Sequence, residues 1–157
     1  MFIEAELLVP LPLGVAKEAL DRAVADGGLV TESRRAVEEG LVFLMPVGPR
    51  GSQGPAKDVL VRLLPAHQSG DRYLLPLRWE VTRPAGQLFP TLDGNLELAA
   101  DGELTSRLSI VASYDPPMGR LGATIDRAIM SRVASATMTA LLREVGCQLR
   151  HWARQHA

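Results

Sequence analysis

Cys147 and His151 stand four residues apart, a spacing that puts a thiol and an imidazole on one face of a helix and that metal ligands can use. Two ligands do not make a site, and His67 and His156 lie in a loop and at a fraying end with no reason to converge on them. No metal and no cofactor is expected. The stretch "GPRGSQG", residues 48–54, has the glycines of a phosphate cradle but not the lysine and Ser/Thr that complete a P-loop, so it reads as a flexible lip. The three histidines build neither a Ser-His-Asp nor a Cys-His arrangement, and no catalytic residue is assigned. General acid or base chemistry needs a polar group held near a substrate. The only candidates are Tyr114, which ends an alternating apolar run, and Glu32 and Arg34, which turn inward if Val30 and Ala36 do.

Those residues must be positioned by a chain of 157 residues, the size of one ordinary domain, and residues 1–157 are expected to form a single one. Hydrophobic residues make up 46% and charged residues 22%, a balance that suggests neither disorder nor a membrane protein. The amino terminus carries Glu4 and Glu6 where a secretory signal would carry Lys or Arg. A lone cysteine forms no internal disulfide and fits a reducing compartment, so a cytoplasmic location is expected. Seventeen basic side chains against 18 acidic ones give a net charge of −1, and aromatic residues are only 4%. Neither a polyanion nor a single-stranded nucleic acid finds the charge or the stacking surfaces it would need.

Periodicity divides the chain into strand, short helix, six strands and one long helix. Residues 2–9 alternate, with Ile3, Ala5, Leu7 and Val9 on one face. Residues 13–28 take helical spacing, with Val15, Ala19, Leu20 and Ala23 on one side and Gly27 as a stop. Strands are then expected at 29–37, 41–46, 58–66, 72–82, 95–100 and 104–114. One face of them is apolar: Leu75, Leu77, Trp79 and Val81; Leu96, Leu98 and Ala100; Leu104, Leu108, Ile110, Ala112 and Tyr114. Compact turns at Glu39-Gly40, "HQSGD" and Asp101-Gly102 alternate with the long connections 47–57, 83–94 and 115–119. In an antiparallel meander successive turns fall at opposite ends. One end of the sheet is therefore sealed and the other elaborated.

The last segment, 119–154, repeats every four residues through Leu121, Ile125, Ile129, Val133, Thr137, Leu141, Val145 and Leu149. Asp115 before Pro116 has N-cap chemistry, and Arg143, Arg150 and Arg154 suit the negative pole at the far end. Such a helix is roughly 50 Å long, enough to cross the sheet. Ala134, Ala136 and Ala140 stand where a core-facing helix ordinarily has bulk. They either leave a void or let the sheet come close.

The text "LSIVASYDPPMGRLGATIDRAIMSRVASATMTALLREV" resembles the carboxy-terminal part of the START-like, or SRPBCC, helix-grip superfamily, which includes polyketide cyclase/dehydratase-like and lipid-binding proteins. The shared features are a last strand ending in an aromatic residue, a proline-glycine passage, an Asp in the opening turns of the helix and small residues in its middle. Element order extends the resemblance over nearly the whole chain. It implies an α+β fold in which a curved seven-stranded antiparallel sheet wraps around the long helix, with a cavity between them whose mouth is the elaborated end. The expected lining is Leu77, Trp79, Leu98, Leu108, Ile110 and Tyr114 from the sheet, Phe89 from the loop, and Met130, Ala134 and Met138 from the helix. The expected partner is a small hydrophobic or amphipathic molecule, lipid or polyketide-like, bound without being transformed. A cyclase or dehydratase using Tyr114, Glu32 and Arg34, or an interaction module with a filled cavity, are the alternatives. Such folds specify an architecture better than a reaction.

Overall fold

The computed structural model describes residues 2–27, 59–81, 91–115 and 127–156. The elements in chain order are β1 (Phe2–Val9), α1 (Leu13–Ala25), β2 (Val59–Leu63), β3 (His67–Ser69), β4 (Arg72–Val81), β5 (Thr91–Ala100), β6 (Ser106–Asp115) and α2 (Arg127–His156). The strands form one antiparallel sheet in the order β1-β6-β5-β4-β2. The short β3 pairs with the beginning of β4, so it and β2 share one edge. This is an α+β architecture with an antiparallel sheet and a carboxy-terminal helix. Its described sheet counts five positions rather than seven: residues 29–37 and 41–46, expected as two further strands, lie outside the described residues.

Register turns the alternation of single strands into cross-strand rows on one face. Next to Val9 and Ser106 at the compact turns comes the row Leu7–Leu108–Leu98–Tyr73, followed by Ala5–Ile110–Leu96–Leu75 and Ile3–Ala112–Gly94–Leu77. Leu75, Leu77, Leu96, Leu98, Leu108 and Ile110 are all buried, and a fully buried leucine of this kind contributes about 2 kcal/mol. The reverse face is polar. There Arg72 meets Glu97 at 3.1 Å and Arg107 meets Asp101 at 2.6 Å. Such exposed ion pairs contribute less than about 1 kcal/mol each.

The third row is where two strands come unusually close. A Cβ on Gly94 would lie 2.5 Å from the Cβ of Ala112 and 2.6 Å from the Val111 carbonyl oxygen. Directly opposed Cβ atoms in a flat antiparallel pair stand about 5 Å apart. β5 and β6 therefore approach more closely than usual here, and glycine is the residue that permits it.

Both helices lie on the apolar face. α2 packs chiefly against β1, α1 and β6, while α1 also reaches β5. Ala134, Met138, Leu141, Leu142, Val145 and Leu149 turn from α2 into the core, and Ala16, Ala19 and Leu20 do so from α1. Gly146 seats α2 tightly on β1: a Cβ there would come 2.7 Å from the Cδ2 of Leu7 and 3.7 Å from the Cγ2 of Val9. Gly27, with φ of 72°, follows α1 as the sequence indicates, its N–H donating to the Val24 carbonyl.

The ends of the sheet differ as the turn chemistry implies. Ser69 and Arg72 pair across Gly70-Asp71, and Ala100 pairs with Ser106 across a loop closed by the Asp101 N–H on the Thr105 carbonyl at 2.9 Å. These turns share one end, because Arg72 pairs with Ala99. Val81, Thr91 and Asp115 lie at the other, joined by segments 82–90 and 116–126, which are outside the described residues together with 47–57.

Four boundaries move. The strand expected to run through Ala66 stops at Leu63, because Leu64-Pro65 interrupts the ladder before β3. β5 starts at Thr91 rather than Asn95, absorbing Gly94 at the close approach. Helix α2 is described from Arg127 and runs to His156, not Arg154. Leu104, expected to face inward, is 73% exposed in the turn, and Ser106 takes the first inward place of β6.

Gly94→Ala is expected to destabilise the protein by about 3 kcal/mol, since the new methyl meets backbone that cannot withdraw. At Gly146 only the tip of Leu7 is in the way, and alanine recovers about 1 kcal/mol of helix propensity. Urea denaturation of Gly146→Ala should therefore show little change, while the bulkier Gly146→Val should lose about 2 kcal/mol.

Candidate functional site

The candidate site is the space between the apolar face and α2 toward the elaborated end. Six of the ten residues expected to line it have described side chains. Leu77 is 1% exposed, and Leu98, Leu108, Ile110, Ala134 and Met138 are 0% exposed. All six belong to one buried cluster, so the structure brings them together. Their closure to water makes them a packed floor, with no water-sized space opening onto them. Trp79 stands opposite Leu92, which itself pairs with Tyr114, one row nearer the elaborated end. Met130 lies in the first turn of α2. The side chains of Trp79, Tyr114 and Met130 lie outside the described residues, as do Phe89, Glu32 and Arg34 entirely.

The alanines divide in role. Ala134 and Ala140 are buried among larger side chains, while Ala136 is half-buried. The close approach that small residues permit on α2 is concentrated instead at Gly146, a position the four-residue repeat passes over.

Polar chemistry on this face is sparse and tied. Among the described residues the Ser106 hydroxyl is wholly buried and donates to the Leu11 carbonyl at 2.8 Å. The buried Tyr73 sends its hydroxyl to Asp21 Oδ1 at 2.5 Å, and Lys17 Nζ sits 4.4 Å from the centre of its ring. Lys17 and Asp21 are four apart on α1, so one face of that helix grips the tyrosine from two sides. Burial pushes the Tyr73 phenol up to about 12, helped by the hydrogen bond to Asp21 and by that carboxylate's negative charge. Sequence reading singled out Tyr114 and missed Tyr73. The signal was present, since Tyr73 precedes Leu75 by two and shares its alternation.

Away from the apolar face, Cys147 is exposed and lies with His151 on the wall of a cleft between α1 and α2. His151 Nε2 is 3.0 Å from Gln155 Nε2. Among the described residues no three His, Cys, Asp or Glu side chains are grouped to hold a metal ion. No helix among them is long and apolar enough to cross a membrane.

No family model and no curated protein matches this sequence. Solved structures do match it in fold. A conserved protein from Geobacillus kaustophilus is 10% identical, with 96% of each chain covered and a TM-score of 0.51. An aromatase/cyclase from a Streptomyces species is 11% identical, covering 96% of this chain and 94% of its own, with a TM-score of 0.47. The human StarD13 lipid transfer and protein localization domain is 12% identical, covering 92% of this chain and 76% of its own, with a TM-score of 0.39. Of these, the likeness to the Geobacillus kaustophilus protein shows a shared overall fold. At such identities the likeness concerns the fold alone, and nothing about substrate passes from these proteins to this chain.

The Tyr73 phenol has a pKa raised above its unfolded value of 10.0, so its contribution to stability is present below pH 10.0 and is lost as pH rises through about 12. Denaturation midpoints taken across that interval should fall in the wild type. The fall should shrink in Tyr73→Phe, which itself loses about 1 kcal/mol at neutral pH with the hydrogen bond.

Proposed function

We propose that this protein binds a small hydrophobic or amphipathic molecule between its sheet and α2, on the elaborated side of the packed floor. The observation that carries this reading is the continuous apolar face, built in register across four strands. Burial on such a surface is worth about 25 cal/mol per Å² removed from water. The floor residues Leu77, Ile110, Ala134 and Met138 set the inner limit, and Trp79, Phe89, Tyr114 and Met130 are proposed as the walls. A lipid or polyketide-like compound suits that lining. The reading includes no chemical step, since the described polar groups of the face are held in bonds that fix the fold.

One observation favours a second reading. The floor is closed to water at every described position, as it would be in an interaction module whose cavity is filled with side chains.

Native mass spectrometry of freshly purified protein separates the two. Binding predicts a retained small molecule, or, where none survives purification, saturable uptake of the neutral dye Nile red with enhanced emission. Ala134→Leu should weaken that uptake by about tenfold, equivalent to about 1.4 kcal/mol. A bare mass together with no saturable dye uptake would remove the receptor role and favour the filled module.

A further inference from the structure

A second recess lies at the opposite end of the molecule from the proposed mouth, where the chain leaves β1 and α2 reaches its last turns. It is a cleft of about 530 Å³, within the usual range for small-molecule sites. One wall is Pro10, Leu11, Pro12 and Val15, and the other is formed around Trp152. Arg150, Arg154 and His156 stand on its rim with Glu18 as the opposing charge.

Both walls are held without a ligand. Two prolines fix the backbone on either side of Leu11, whose N–H donates to the Val9 carbonyl at 2.8 Å. The Leu11 carbonyl in turn receives the hydroxyl of Ser106, a buried polar residue standing where the alternation of β6 calls for an apolar one. Across the cleft the Trp152 ring stacks on His156 with centroids 4.4 Å apart, and His156 Nδ1 lies 2.9 Å from the Trp152 carbonyl oxygen. A recess shaped in advance loses less ordering entropy on binding than one that must form around its ligand.

We propose that this cleft is a binding site for a compact apolar molecule bearing one anionic group, independent of the space beneath the sheet. The apolar body lies against Pro10, Leu11, Val15 and Trp152. Its anionic group faces Arg150 and Arg154, where two guanidinium groups outweigh the single carboxylate of Glu18. Guanidinium suits this role because its planar fork matches a carboxylate, sulfonate or phosphate oxygen pair.

The test is a titration of isotopically labelled protein with 1-naphthoate and with its neutral isostere 1-naphthamide, followed by NMR. The Trp152 indole signal is assigned by its loss in Trp152→Phe. Naphthoate is expected to shift that signal saturably and to bind about tenfold more tightly than naphthamide, a difference that Arg150→Gln with Arg154→Gln abolishes. An unmoved Trp152 indole at millimolar probe, or equal affinities of the two probes for the wild type, overturns the proposal. Shifts confined to the Met138 methyl and its neighbours also overturn it, while supporting the binding role of the other space. The comparison of probes on the wild type stands even where the double variant fails to fold.

Discussion

Gly94 and Ala112 face each other in the middle of the sheet at a distance that no two side chains of ordinary size could share. β5 and β6 approach unusually closely there, while Ile3 and Leu77 at the ends of the same row are large and buried. The helix packs on this face chiefly over β1 and β6, where the Leu and Ile rows supply its contacts. The core is thus built from large residues around one pair of small ones.

Helix α2 is set onto that face by a further small residue. Gly146 seats on Leu7 and Val9, near the compact-turn end of β1, so the helix comes close to the sheet there. α1 lies alongside it and is fixed by the grip of Lys17 and Asp21 on Tyr73, while Ser106 pins the linker that connects β1 to α1. The polar atoms that burial would penalise are satisfied by each other, which removes a cost of about 1 to 3 kcal/mol apiece. The closed end is rigid because its polar groups act as ties.

Much of this order was legible in the sequence. Alternation in β1, β4 and β6 identified the inward residues, and turn chemistry at "HQSGD" and Asp101-Gly102 located the sealed end, since both signals are local and are enforced by the backbone itself. Leu104 was misread because periodicity runs on through a turn that the chain has already entered. Tyr73 escaped notice because its role depends on Asp21 and Lys17, which are distant in sequence and are brought near only by the docking of α1. Gly146 escaped for a related reason: a four-residue repeat marks where side chains are large, whereas a close approach of a helix to a sheet lies where one is missing. Of the candidate lining, the aliphatic floor could be found from alternation alone, while the contribution of Phe89 depends on a segment whose position no periodicity specifies.

The small central pair also bears on how the apolar face is filled. Toward the compact turns the rows are filled mainly by leucine, isoleucine and tyrosine, with Ala5, Val9 and Ser106 among them, and the large buried side chains share one core with α1 and α2. Beyond Gly94 the strands stay paired as far as Val81, Thr91 and Asp115. Bulk returns one row further on, where Trp79, Leu92 and Tyr114 stand across three strands and Leu92 is fully buried. A core that filled uniformly would place its small residues out of step, opposite large ones, so that each made room for the other. Here Gly94 stands opposite Leu77 and Ala112 opposite Ile3, both large partners are buried, and the row is filled in that manner.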